Sequence, residues 1–135
     1  MTDSPKCLVP PIGESDRLVL VVDDEVDLLQ IVSDRLVAAG YRVLTARDGI
    51  EALARAREAR PGCIILDLKM PRLGGFEALP ALRQAAPAAR VIVLTGSSNR
   101  PLHDACRARG ADDFMLKPFD PGELLRLMAR AFDRD

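Results

Sequence analysis

Five short apolar runs, each separated from the next by a stretch of helical spacing, constrain this chain more than any other feature. They are RLVLVV at 17 to 22, YRVLTA at 41 to 46, CIILDL at 63 to 68, RVIVLT at 90 to 95 and DDFMLK at 112 to 117. Most are continuously apolar, the pattern of a strand covered on both faces. Between the first two, Leu29, Val32, Leu36 and Ala39 recur at helical spacing and predict the buried stripe of a first helix that ends at Gly40. Ile50, Leu53 and Ala54 predict the buried face of a second helix, stopped by Arg60, Pro61 and Gly62. A third runs from about Gly75 into LRQAA, with Pro80 delaying its start or bending it. Pro101 stands early in a fourth. The fifth opens on a capping box of Asp120, Pro121 and Glu123, with Leu124 or Leu125, Met128 and Phe132 on its buried face. Strict alternation of this kind predicts an α/β fold, a doubly wound five-stranded parallel sheet with right-handed crossovers and helices on both faces. In such a sheet, chemistry gathers outside the carboxyl ends of the strands.

The 135 residues suffice for one core, and 48% hydrophobic against 4% aromatic residues makes that core aliphatic. With 19 basic and 20 acidic residues the net charge is -1, so no bulk field draws the chain to a polyanion and direct nucleic-acid binding is not expected. Cys7, Cys63 and Cys106 are odd in number and scattered, which fits reduced thiols rather than a disulfide framework or metal knuckle. No apolar stretch approaches the ~18 residues of a membrane span, and the N-terminus lacks a signal-peptide pattern. A soluble, cytoplasmic protein without membrane contact is the expectation. Residues 1 to 16 carry three prolines and no periodicity and read as a flexible leader, with the folded domain over 17 to 134.

The strand ends carry the reactive groups. Asp23 and Asp24 follow the first strand, Asp67 ends the third, Thr95 ends the fourth and Lys117 closes the fifth. A parallel sheet brings all of them to one edge. Three clustered carboxylates repel one another unless their pKa values rise or a cation intervenes, and carboxylates with room for water suit Mg2+. A metal beside a carboxylate can neutralise an incoming phosphoryl group and hold it for in-line attack, which makes Asp67 a nucleophile. Lys117 and the Thr95 hydroxyl then suit phosphoryl oxygens. Taken singly these residues have plainer readings: Asp23 and Asp24 as caps of the first helix, Lys117 and Thr95 as ordinary strand-end groups. Asp67 resists one, because a carboxylate after CIIL sits where an apolar residue would cost less. His103 reads as an exposed structural residue, Cys63 and Cys106 as core, and Arg55, Arg57, Arg60, Arg107 and Arg109 as solvated helix face.

Four segments, VLVVDDE at 19 to 25, IILDLKMPRLGG at 64 to 75, VIVLTG at 91 to 96 and GADDFMLKPF at 110 to 119, together resemble the receiver domains of bacterial response regulators. The resemblance covers about residues 17 to 134. It implies a (βα)5 flavodoxin-like fold with strand order 2-1-3-4-5. It implies that Asp67 is phosphorylated by the phosphohistidine of a sensor histidine kinase or histidine phosphotransfer protein. Mg2+ would be held by Asp24, Asp67 and the backbone carbonyl of Lys69, with Asp23 acting through a metal-bound water. Thr95 and Lys117 would bind the phosphoryl oxygens, and Phe114 would be the aromatic whose rotation is coupled to Thr95. A cis Lys117–Pro118 peptide, a downstream protein docking on the fourth helix, fifth strand and fifth helix, and a possible homodimer also follow from the resemblance. RLGG departs from the family's commonest turn and implies a looser one at Gly74 and Gly75. Phe114 lacks a hydroxyl, which leaves packing to tune the switch, and Lys69 and Ser97 flank the site.

Three other readings compete. A receiver-like binding module acting without phosphorylation usually loses one of the acidic pair, the acceptor or the lysine, and this sequence keeps them all. A phosphatase of the haloacid-dehalogenase kind needs an acid two residues after its nucleophile, where Lys69 stands. A flavodoxin-like cofactor binder needs a Ser/Thr/Gly-rich loop after the first strand, and VDDEVD would repel a phosphate. Turnover of a separate substrate is therefore not expected.

Overall fold

The computed structural model describes residues 17–132, so Cys7 and the leader over residues 1 to 16 lie outside the described residues. Ten elements alternate: β1 (Leu18–Val22), α1 (Val26–Ala38), β2 (Arg42–Ala46), α2 (Gly49–Ala59), β3 (Cys63–Asp67), α3 (Gly75–Ala85), β4 (Arg90–Thr95), α4 (Arg100–Ala108), β5 (Asp113–Leu116) and α5 (Pro121–Phe132). The strands form one parallel sheet in the order β2-β1-β3-β4-β5. The register sets Val22 beside Leu66, Asp67 beside Leu94 and Thr95 beside Leu116. Asp23, Asp67, Thr95 and Lys117 thus reach the same edge.

Successive strand residues face opposite sides, which divides the core in two. Leu20, Val22, Ile64, Leu66 and Val93 pack with residues of α2, α3 and α4. Val19, Val21, Ile65, Ile92 and Leu94 pack with α1 and α5. Every residue of β1 and β3 is buried, so their unbroken apolar runs have a direct physical cause.

Helix faces depart from the sequence expectations where a neighbouring loop decides the fit. The stripe of α1 stops at Leu36, because Ala39 is its exposed C-cap. In α2 the buried residues are Gly49, Ala52 and Ala56, while Ile50 is 55% exposed and Ala54 also faces solvent. Small side chains let this helix lie close to the turn before α3: a Cβ on Gly49 would come within 2.6 Å of the Leu73 carbonyl oxygen. On α5, Leu124, Met128 and Ala131 are buried, and Phe132 is half-buried with its ring 5.5 Å from that of Tyr41. The Asp120 carbonyl closes the start of this helix by accepting from the Glu123 and Leu124 N–H groups.

Pro80 does not delay α3, which starts at Gly75 and runs through it. A proline there removes the donor that would reach the carbonyl of Phe76. Arg109 donates to that carbonyl instead (Nη1 to O, 3.3 Å), and its guanidinium lies 3.9 Å from the centre of the Phe76 ring. Arg109, expected on a solvated face, therefore ties α4 to α3.

Candidate functional site

The carboxyl edge of the sheet gathers the charged residues that the strand pattern places there. Carboxylate oxygens of Asp23, Asp24 and Asp67 all lie within 4.8 Å of one another. Asp23 is fully buried and Asp67 nearly so, whereas Asp24 is exposed. Lys117 Nζ reaches Asp23 Oδ2 at 3.1 Å, Asp67 Oδ1 at 3.3 Å and Glu25 Oε1 at 3.5 Å. The Lys117–Pro118 peptide is cis. Asp23 Oδ1 also accepts from the Glu25 N–H at 3.0 Å. Glu25, not either aspartate, is the N-cap residue of α1, so capping does not account for the acidic pair. Thr95, buried at the end of β4, accepts at Oγ1 from the Ser97 N–H at 3.1 Å. Asp24, Asp67, Lys69, Thr95, Ser97 and Lys117 line an open cleft of about 900 Å³.

Burial, and then the charge of Asp23, push the Asp67 carboxyl up to about 6, against the opposing pull of Lys117. For Lys117, burial works against its charge, but the Asp23 hydrogen bond and the charge of Asp67 outweigh it and hold the ammonium above its ordinary value. One lysine does not balance three carboxylates. What remains is a negatively charged set of hard oxygen donors, half open to water, which fits a small divalent cation.

The raised Asp67 value has a definite sign for stability. A carboxyl that binds its proton more tightly folded than unfolded contributes stability that is complete below its ordinary value of 3.8 and is lost as pH rises through about 6. In EDTA, the gap in thermal midpoint between Asp67→Asn and the wild type is expected to widen from pH 5 to pH 7.5. A gap that stays constant over that range would show that Asp67 titrates normally.

Sequence reasoning missed several partners. Asp48 is buried and caps α2 by accepting from the Glu51 N–H at 2.9 Å. Arg72 donates to the same carboxylate through Nε at 2.9 Å and through Nη2. The Glu51 bond and then Arg72 hold the Asp48 carboxyl below its ordinary value. Arg72 adopts a left-handed φ of 66° to do this, and Gly49 N–H donates to the Leu73 carbonyl at 2.7 Å. The turn carrying RLGG is thus pinned to α2 rather than loose. An aspartate-glycine pair at a helix start signals the cap, but nothing local signals Arg72.

His103 is also misplaced by the sequence reading: it is half-buried, not exposed. Its ring stacks on Phe114, with centroids 4.2 Å apart and planes 5° from parallel, and its Nε2 lies 2.9 Å from the Ser97 carbonyl oxygen. One turn further along α4, the Arg107 guanidinium sits 4.8 Å from the centre of the same Phe114 ring. Cys63 and Cys106 are buried as expected, and burial raises both thiols.

The response regulator receiver domain matches residues 19–129 of this sequence. The chain belongs to that family. It is 42% identical over 113 residues to the transcriptional regulatory protein PrrA of Mycobacterium leprae, a match covering 84% of this chain and 48% of PrrA. Chemotaxis protein CheY4 of Vibrio cholerae superposes with a TM-score of 0.80 at 40% identity, covering 84% of this chain and 97% of CheY4. The receiver domain of sensor histidine kinase PA1611 from Pseudomonas aeruginosa, solved with a magnesium ion coordinated in its active site cleft, superposes with a TM-score of 0.77 at 29% identity, covering 85% and 96% of the two chains. The chain spans about half the length of the curated relatives it matches. Its receiver fold, with the strand order 2-1-3-4-5 that the resemblance implies, makes it a signalling module of two-component systems. No helix of the described residues is long and apolar enough to cross a membrane.

Proposed function

We propose that this receiver is switched by phosphorylation of Asp67, with a sensor histidine kinase or histidine phosphotransfer protein as donor. The observation that carries the reading is the meeting of Asp67 with Asp23 and Asp24 within 4.8 Å, beside a lysine ammonium 3.3 Å from Asp67. The Asp67 carboxylate attacks phosphorus, the P–N bond to the donor histidine breaks with its electron pair returning to the imidazole, and an acyl phosphate is left on Asp67. Water later cleaves that mixed anhydride and restores the carboxylate. Lys117 is near enough to move from the Asp67 carboxylate to a phosphoryl oxygen, and Thr95 can exchange its Ser97 contact for another.

The donor set fits Mg2+, which Asp24, Asp67 and the Lys69 carbonyl would hold, with Asp23 acting through water. When bound, that ion supplies charge neutralisation and orientation for the phosphoryl oxygens. The magnesium in the PA1611 receiver is consistent with this. The output surface is the α4, β5 and α5 face, where Leu116 is 46% exposed and offers an apolar contact to a downstream protein or a second copy.

Intact mass after incubation with acetyl phosphate tests the reading. A gain of one phosphoryl group in Mg2+, abolished by EDTA, is the expected outcome. A folded protein that gains nothing in Mg2+ would leave a binding module acting without phosphorylation.

A further inference from the structure

A chain of contacts runs from the cleft to Phe114 through one residue, Ser97. The Ser97 N–H donates to Thr95 Oγ1 at 3.1 Å, and the Ser97 carbonyl lies 2.9 Å from His103 Nε2. A carbonyl can only accept, so His103 carries a proton on Nε2 and donates it. The other end of that interaction is the face of the imidazole ring, stacked 4.2 Å from Phe114. Phe114 has no hydroxyl, so its position is decided by packing, and the packing on this side comes from His103 and Arg107, spaced one turn apart on α4.

We infer that His103 is a positioning residue that latches Phe114 in the conformer seen here and ties that conformer to the Thr95 loop through Ser97. The inference rests on the phosphorylation switch proposed above and names the side chain through which this chain couples Thr95 to Phe114. If Thr95 turns its hydroxyl toward a phosphoryl group, the Ser97 N–H loses its acceptor. Ser97, whose carbonyl holds His103, then loses one of the contacts that fix it, and the stack on Phe114 loosens as Ser97 shifts. Contacts that stabilise the resting arrangement must oppose the phosphoryl-bound one by the same free energy. Weakening the latch therefore favours the activated state even though His103 touches no phosphoryl group.

Titration of the Mg2+-saturated protein with beryllofluoride, followed by amide NMR, measures this directly. His103→Gln keeps a donor and loses the ring stack; His103→Phe keeps a ring and loses the donor. Each is expected to bind beryllofluoride about three- to tenfold tighter than wild type, the range that one aromatic stack or one neutral hydrogen bond carries. In a Phe114→Leu background, His103→Gln is expected to change the affinity less than twofold, because the latched ring is gone. A residue with only a structural role would lower the thermal midpoint without tightening binding. Affinities within twofold of wild type in both single variants, or weaker ones, would overturn the inference. So would an undiminished effect in the Phe114→Leu background. Failure of the wild type itself to bind beryllofluoride in Mg2+ would instead overturn the switch, and the latch with it.

Discussion

Asp67→Asn is expected to take up no phosphoryl group from acetyl phosphate and, in the absence of metal, to be more stable than the wild type at neutral pH. An amide nitrogen or oxygen is no substitute for a carboxylate nucleophile, so the loss of phosphoryl uptake is complete rather than graded. The gain in stability has a separate cause. Burial and the neighbouring Asp23 push the Asp67 carboxyl from 3.8 to about 6, which means that the site opposes the charge Asp67 carries at pH 7.5. A neutral isostere removes that opposition, while Lys117 keeps its 3.1 Å contact with Asp23. The expected gain is about 1–3 kcal/mol, a rise in thermal midpoint of roughly 4 °C or more. Added Mg2+ should narrow the difference, because it stabilises the wild type by binding only the folded site. Differential scanning fluorimetry with and without Mg2+, alongside intact mass, separates the two effects. An Asp67→Asn protein that still gains a phosphoryl group would move the acceptor elsewhere.

Gly75→Ala is expected to be severely destabilising. Gly75 is the first residue of α3, and a Cβ there would stand 2.2 Å from the Asp67 carbonyl oxygen and 3.0 Å from Leu66 Cγ. The obstruction is backbone at the end of a fully buried strand, so no side-chain rotation relieves it. The Gly75 N–H also donates to the Leu68 carbonyl at 3.0 Å, which fixes the helix start from the other side. Either α3 or the end of β3 must shift, at about 3 kcal/mol or more, lowering the midpoint by roughly 10 °C or more. Gly96→Ala is the matched control: nothing lies within 4 Å of a Cβ at Gly96, and a change within about 0.5 kcal/mol is expected. Chemical denaturation of both variants decides the matter. A Gly75→Ala protein as stable as the control would mean that α3 and β3 can slide apart freely.

The residues at the strand ends were legible because their signal is local. Asp67 interrupts an apolar run, Asp23 and Asp24 follow another, and once the strands are parallel no further knowledge is needed to bring them to one edge. The central strands β1, β3 and β4 were legible for the same reason, since burial on both faces writes an unbroken apolar run. The helices were less so. In α2, Leu53 packs against the core as its spacing predicts. Ile50 is larger and more apolar than Gly49, Ala52 and Ala56, yet it is exposed and the small residues face the core because the helix must approach the Leu73 turn closely. Hydrophobicity records a preference for burial; it does not record how much room there is.

The sequence by itself determined the order of elements, the parallel sheet and the acidic edge with its lysine, because each follows from periodicity over a few residues and from the chain rules that join strands. Only the tertiary structure decided that Arg72 pins Asp48, that Arg109 replaces the hydrogen bond Pro80 removes, that Lys117 also meets Glu25, and that His103 stands between Ser97 and Phe114. Most of these pairs join residues that share no periodic pattern and lie on different elements, so each depends on how far the helices and loops lean over the sheet. That distance is set by packing volume summed over the whole core, a quantity no short window of sequence contains.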